Sequence, residues 1–348
     1  MTSNIQLSTE VAQALSSGKP VVALESTVFS PLGLPSPANR QAYEQSIQAV
    51  SERGAVAAVT AVIDGQARVG LSATDESRLF DVSLGEADGL SGEADGLSVE
   101  AATFRKVSVA DLPIAVAQGW SFGATTVSAS LSLAHQAGIK VFATGGIGGV
   151  HRENPNDVSA DLTALARFPL ATVCSGAKAF LDLPATLEQL ETLGVAVVGY
   201  RTGEFPAFWC RESGLKVQHT VSTPKEATDI VRALGSEVRA LGSEVGALGS
   251  GQGGVLLVVP PPEEEALKWP VVEQAVEEAL LEVHKRGIKG GKVTPFILEH
   301  INKATNGGTL SANIALVANN AAVAADIAVD LAKGATSAIP QTNTRLRA

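Results

Sequence analysis

Short aliphatic runs alternating with helical patterns predict an α/β fold: a mostly parallel central sheet flanked by helices on both faces, in a single domain. Three observations carry this reading. The run at 21–24 is apolar throughout, as in a strand buried on both faces, and the mainly apolar segments 140–144, 171–174, 195–199 and 255–259 read as further strands. Helical stretches separate them, which is the pattern of crossover connections. No clean linker divides the 348 residues, so 1–348 reads as one domain. With 45% hydrophobic but only 4% aromatic residues, aliphatic side chains must fill the core.

The first unit reads strand, loop, helix, strand. After 21–24 come Glu25, Ser26 and Thr27, then a Pro/Gly-rich loop over 31–37. Ser36 is placed as the cap of a helix with Pro37 at its first position, closed by Gly54. Residues 55–63 and 66–71 flank Asp64-Gly65, a two-residue hairpin signal. Farther on, 125–137 reads as a helix stopped by Gly138, and the strand 140–144 runs into Gly145, Gly146, Ile147, Gly148 and Gly149. Ser159 caps a helix beginning near Ala160. Residues 184–193, 271–286, 295–305 and 310–332 complete the helical set.

Two low-complexity segments interrupt this order. Residues 86–98 contain EADGLS twice, and 232–249 repeat a seven-residue unit around ALGS. Both periods are too short for a solenoid, so they read as loop insertions. Loop entropy grows slowly with length, and shortening either segment by one unit is expected to leave turnover within a few-fold.

Composition narrows the partners. A net charge of -10 argues against nucleic acid, whose backbone calls for a concentrated positive face, but leaves room for a small phosphorylated ligand. Two cysteines, Cys174 and Cys210, fit a reducing, cytoplasmic setting better than a disulfide framework. The N-terminal residues lack a signal-peptide pattern. The apolar stretch 310–332 is broken by Asn313, Asn319, Asn320, Asp326 and Asp330, so no membrane span is expected.

Ligands in open α/β folds gather beyond the carboxyl ends of strands. That rule selects Glu25–Thr27, the glycine run with His151, Asp157, Ser159 and Asp161 behind it, Lys178 after Cys174, and an aromatic group, Phe205, Phe208 and Trp209. The glycine run matches neither a dinucleotide fingerprint nor a P-loop. Lys178 follows a strand through Ser175, Gly176 and Ala177, so it is either a surface lysine or a desolvated amine. An ordinary lysine near pKa 10.4 needs a drop of about 3 units, some 4–5 kcal/mol, to become a nucleophile at neutral pH. Asp157 and Asp161 bracket Ser159, a pattern that serves helix capping or a hard cation held mostly by water.

Taken together, ALEST (23–27), GATTV (123–127), VFATGGIGGVHR (141–152), DVSADL (157–162), CSGAK (174–178), EFPAFWCRESG (204–214), VTPFIL (293–298) and SANIALV (311–317) resemble the pseudouridine-5'-phosphate glycosidase family, in order, over about residues 20–331. The resemblance implies reversible cleavage of the C–C glycosidic bond of pseudouridine 5'-phosphate to uracil and ribose 5-phosphate. The family is classed with carbon–oxygen hydro-lyases and serves nucleotide catabolism.

The resemblance also assigns roles. Lys178 is the nucleophile, carrying a ring-opened ribose as an imine, and Glu25 the proton donor. Lys106, Val127, Ser159, Ala160 and Asp161 contact substrate, with His151 and Asn313 as further pocket residues. Asp157 binds the metal, Mn²⁺ in the family, with Mg²⁺ or another divalent ion as substitutes. A homotrimer is implied. A lysine adduct supplies an electron sink that paired carboxylates lack, and a C–C bond requires one. Departures are Ser175, where the family commonly has Ala, one extra residue between Pro113 and Gly123, and the two repeats. An aldolase-like lyase using Lys178, or a silent sugar-phosphate-binding protein, are the competing readings; the latter is expected to lose Glu25 or Lys178, and both are present.

Overall fold

The computed structural model describes residues 5–80, 104–235, 253–288 and 293–336. Strand β1 (Ile5–Leu7) and helix α1 (Thr9–Ser16) lead to β2 (Val21–Leu24), α2 (Ala38–Ser51), β3 (Val56–Ile63), β4 (Gln66–Val69) and α3 (Ala73–Leu79). Next come β5 (Phe104–Val107), α4 (Leu112–Ala117), β6 (Phe122–Thr125), α5 (Val127–Gln136), β7 (Val141–Ala143), β8 (Val150–His151), α6 (Ala160–Arg167) and β9 (Ala171–Cys174). The chain continues through β10 (Leu181–Asp182), α7 (Leu183–Thr192), β11 (Ala196–Tyr200), β12 (His219–Val221), α8 (Pro224–Gly235) and β13 (Val255–Val258). Three helices follow, α9 (Trp269–Arg286), α10 (Val293–Ala304) and α11 (Gly308–Thr336). Repeat 86–98 lies outside the described residues; of 232–249 only 232–235 lie within, closing α8.

The sheet runs β1-β4-β3-β2-β7-β9-β13-β11-β12, parallel from β3 to β12. Steps β2–α2–β3 and β12–α8–β13 move one way across it; β7–α6–β9 and β9–α7–β11 move the other. Right-handed crossovers therefore put α2 and α8 on one face and α6 and α7 on the opposite face. Helix α11 packs on α2 and α8, and α5 packs on α6. The step direction reverses between β2 and β7, so the crevice beyond their carboxyl ends is the topological switch point.

Strand β3 shapes that crevice. Its first half pairs with β2 in parallel, its second half with β6 antiparallel. The carboxyl ends of β2 and β6 thus meet head to head at Thr60, whose hydroxyl bonds Leu24 O at 3.2 Å and Thr125 Oγ1 at 2.8 Å. The 125–137 helix expectation is corrected here: Thr125 belongs to β6, because its backbone pairs in the sheet, and the helix starts at Val127. Likewise α2 starts at Ala38 with Pro37 at the cap position, and proline has no side-chain acceptor to cap with. The Asp64-Gly65 hairpin forms as expected, both residues at positive φ. A Cβ on Gly65 would lie 2.9 Å from Gly119 Cα, so only glycine fits there.

Helix α11 is long and apolar enough to cross a membrane by length and composition. Here it packs against α2, α8, β2, β7 and β9, as the core helix of the domain.

Candidate active site

Glu25 leaves β2 at the switch point and is 8% exposed. Its Oε1 accepts a short hydrogen bond from the Thr144 hydroxyl, at the end of β7. Burial raises its pKa from the usual 4.5 to about 7; the Lys178 charge, the Thr144 bond and Lys106 offset part of that rise, and Asp161 adds to it. A carboxyl half-protonated near neutral pH can both give and take a proton.

Lys178 is placed by two loops zipped together. Its N–H donates to Ile147 O at 3.1 Å, and Ser175 N donates to Gly145 O at 2.8 Å. Gly176, at φ +78°, lets the 204–214 loop cross beneath: a Cβ there would lie 2.0 Å from Pro206 O. Half-buried Lys178 shares one cavity with Glu25, Lys106, Thr144, Phe208 and Asn313. Lys106 sits on the exposed side of β5, at the edge of this cavity.

Behind the cavity, fully buried Asn320 of α11 fastens both strand ends. Its Nδ2 donates to Thr144 O at 2.8 Å, to Gly145 O at 3.3 Å and to Ser175 Oγ at 3.1 Å. The hydroxyl of Ser175 is thus bound into the site. Replacing Asn320 by Leu strands the Thr144 carbonyl, while Gly145 O keeps the Ser175 N–H. Asn320→Leu is expected to cost about 2–3 kcal/mol in urea unfolding, with a loss of turnover larger than in Ser175→Ala.

The remaining expected residues form a second cluster outside that cavity lining. Ser159 accepts from Asp161 N at 3.2 Å, capping α6, and Ala160 is its first residue. The buried Asp161 carboxylate accepts from Ser128 N at 3.0 Å and Gly148 N at 2.9 Å, so it ties the start of α5 to the glycine run. Val127 is buried as the first residue of α5. A Cβ on Gly148 would lie 2.2 Å from Ser159 Oγ, which explains one glycine of the run as close packing. Here two helix N-termini converge, an environment suited to an anion. His151 lies half-buried on β8 with its ring 6.4 Å from Phe180, and Asp157 is exposed on the turn before α6. Neither lines the cavity that holds Lys178.

Thr144 and Leu298 line the cavity and were not singled out from the sequence. Thr144 had a signal, since it immediately follows the residues of β7; Leu298 had only its place at the end of the VTPFIL motif, because α10 reaches the site through tertiary packing. A larger groove lined by Leu187, Glu188, Lys216 and His219 lies elsewhere and includes neither Glu25 nor any residue of the glycine run.

A lysine and a protonatable carboxyl sharing one cavity at the switch point of an α/β sheet are the equipment of an enzyme for a small molecule. The family described as indigoidine synthase A like protein matches residues 10–330. The pseudouridine-5'-phosphate glycosidase of Caldanaerobacter subterraneus subsp. tengcongensis is 47% identical over 334 residues, 94% of this chain and 97% of that protein. Its namesake from Methylobacterium nodulans is 45% identical, over 95% of this chain and 89% of that protein. Among solved structures, the prealnumycin C-glycosynthase AlnA in complex with ribulose 5-phosphate is similar with a TM-score of 0.80 and 32% identity, covering 96% of this chain and 99% of that one. An indigoidine synthase A-like protein from Thermotoga maritima matches with a TM-score of 0.77 and 33% identity, over 94% and 96% of the two chains. The chain belongs to the pseudouridine-5'-phosphate glycosidase family, within the indigoidine synthase A-like proteins.

Proposed function

We propose that the chain cleaves pseudouridine 5'-phosphate reversibly to uracil and ribose 5-phosphate, with Lys178 as nucleophile and Glu25 as proton carrier. The observation that carries this reading is the juxtaposition of Lys178 with a buried carboxyl that titrates near neutrality. Neutral Lys178 Nζ adds to C1' as the C1'–O bond opens, and the ring oxygen takes the proton of Glu25. The resulting carboxylate removes a proton from Nζ. The nitrogen lone pair then forms the C=N bond as the C1'–C5 bond breaks, and Glu25 returns its proton to C5 of the departing uracil. Water hydrolyses the imine to ribose 5-phosphate and free Lys178, so one water is consumed overall.

Lys106, with Val127, Ser159, Ala160 and Asp161 at the starts of α5 and α6, is assigned to the sugar phosphate, because a cation suits the phosphate and a carboxylate and hydroxyl suit the sugar hydroxyls. The competing aldolase-like use of Lys178 is separated by a single test: uracil is expected to be released stoichiometrically with ribose 5-phosphate. Mixing the protein with uracil and ribose 5-phosphate is expected to give the C-nucleotide mass.

Among the described residues, no three His, Cys, Asp or Glu side chains group to hold a metal ion. The exposed Asp157 fits a cation held by one carboxylate and otherwise by water, as Mg²⁺ and Mn²⁺ accept near phosphates. Such an ion supplies charge neutralisation at the phosphate. Chelation is expected to lower turnover at least tenfold, Mn²⁺ or Mg²⁺ to restore it, and Asp157→Ala to respond to neither. An Asp157→Ala protein with the wild-type metal response would remove the assignment. A homotrimer and a cytoplasmic location complete the proposal; sedimentation of the purified protein tests the first.

A further inference from the structure

The loop after β11 carries three buried aromatic residues, and one of them makes a bond that no step above uses. Phe208 adopts a left-handed backbone, φ 58°, held by its N–H on Ser175 O at 2.9 Å and by the reciprocal Ala207–Cys210 bonds of 3.0 and 3.1 Å. A bulky residue leaves the favoured regions only where its surroundings compel it. The result is a ring laid on the glycine run, so close that a Cβ on Gly146 would sit 2.6 Å from Phe208 Cδ2. Next to it, at 4.9 Å between ring centroids, lies Trp209, 1% exposed. Its single donor, Nε1, bonds Asn313 Oδ1 at 3.1 Å.

That bond determines what Asn313 offers the cavity. An amide has one acceptor oxygen and one donor nitrogen. With Oδ1 occupied by an indole that can only donate, the amide cannot be reversed without setting donor against donor. Asn313 is 8% exposed and lines the cavity. Among the described residues its Nδ2 meets no acceptor, so the group it presents is an N–H donor in the cavity that Phe208 also lines.

We infer that Trp209 is a positioning residue for base selection: it fixes the Asn313 amide so that the site takes a flat base with a carbonyl oxygen there and rejects one with an amino group. Uracil has carbonyls at both positions 2 and 4. Cytosine carries an amino group in place of the 4-carbonyl, and isocytosine in place of the 2-carbonyl. Whichever of the two replaces the carbonyl facing Asn313 sets donor against donor and is excluded. A site built to hydrogen-bond one group discriminates strongly against its mismatch. The inference rests on the proposed substrate, and the test separates the two.

Trp209→Phe keeps a buried ring and removes only the N–H. Two quantities are measured: the borohydride-fixed adduct of ribose 5-phosphate, which needs no base, and the rate of C–C bond formation with uracil, cytosine and isocytosine. In Trp209→Phe the adduct should form as in wild type, the KM for uracil should rise about tenfold, and selectivity over the excluded base should fall at least tenfold. Asn313→Asp, with Trp209 intact, replaces the exposed donor by an acceptor and should reverse the order of uracil and the excluded base. Parallel loss of adduct and uracil use in Trp209→Phe would reduce Trp209 to packing and overturn the inference. Unchanged uracil KM and selectivity would overturn it too. Should Trp209→Phe fail to fold, Asn313→Asp decides alone, since an unchanged base order in it removes the claim. Absence of any adduct in wild type would instead strike the imine chemistry.

Discussion

Lys178→Ala is expected to abolish turnover by about four orders of magnitude or more, the scale on which loss of a covalent nucleophile acts, while the protein stays folded. Lys178 is half-buried at the end of a loop whose shape depends on backbone bonds, Lys178 N to Ile147 O and Ser175 N to Gly145 O, that alanine retains. Borohydride reduction with ribose 5-phosphate should add a sugar-phosphate mass to the peptide carrying Lys178, and the variant should show none. A second consequence is electrostatic. The Lys178 charge is the largest influence holding down the Glu25 pKa against burial. Removing that cation should move Glu25 titration above 7, readable in the carboxyl region of an infrared pH titration. An adduct on Lys106 instead, or full turnover by Lys178→Ala, would overturn the assignment of the two lysines.

Glu25→Gln should separate catalysis from stability. Turnover is expected to fall by about 10²–10⁴, the range for loss of a positioned proton-transfer group, with substrate still bound. Stability should move in the opposite direction above neutrality. The folded-state pKa is raised from 4.5 to about 7, so the native protein holds a proton that the unfolded chain releases. Stability from this group is therefore complete below about pH 4.5 and is lost as pH rises to 7, by about 3 kcal/mol in total. Glutamine cannot ionise. Urea midpoints of wild type should fall between pH 5 and 8 relative to those of Glu25→Gln, and the two curves should separate progressively over that window. In the wild-type enzyme the same titration should place one limb of the pH–rate profile near pH 7. Parallel stability curves would mean that Glu25 is not held in a costly environment.

Much of this was legible residue by residue. The apolar runs 21–24, 171–174 and 255–259 became β2, β9 and β13, since a strand covered on both faces must be apolar throughout. Glu25 and Lys178 stood out because Glu25 follows such a run directly and Lys178 follows one through three small residues. Strands β5 and β6 were not anticipated. In β5, Arg105 and Lys106 face outward between two buried residues; in β6, a Gly and a Thr weaken the pattern. Asp157 and Asp161 looked equivalent around Ser159, yet one is exposed and the other buried on two backbone N–H groups.

The sequence by itself determined the class of fold, the two residues proposed for the chemistry, and the family. These depend on local order along the chain: which residue follows a strand, and which motifs succeed one another. Tertiary structure alone decided the electrostatics and the pairing. The rise of the Glu25 pKa comes from burial, which the bond from Thr144, 119 positions away, partly offsets; the fastening of both strand ends comes from Asn320, and the orientation of Asn313 from Trp209. Desolvation and hydrogen bonding act through distance in space, and that distance is set by the pairing of β2 with β7 for Glu25 and Thr144 and by the packing of α11 on the sheet for Asn320.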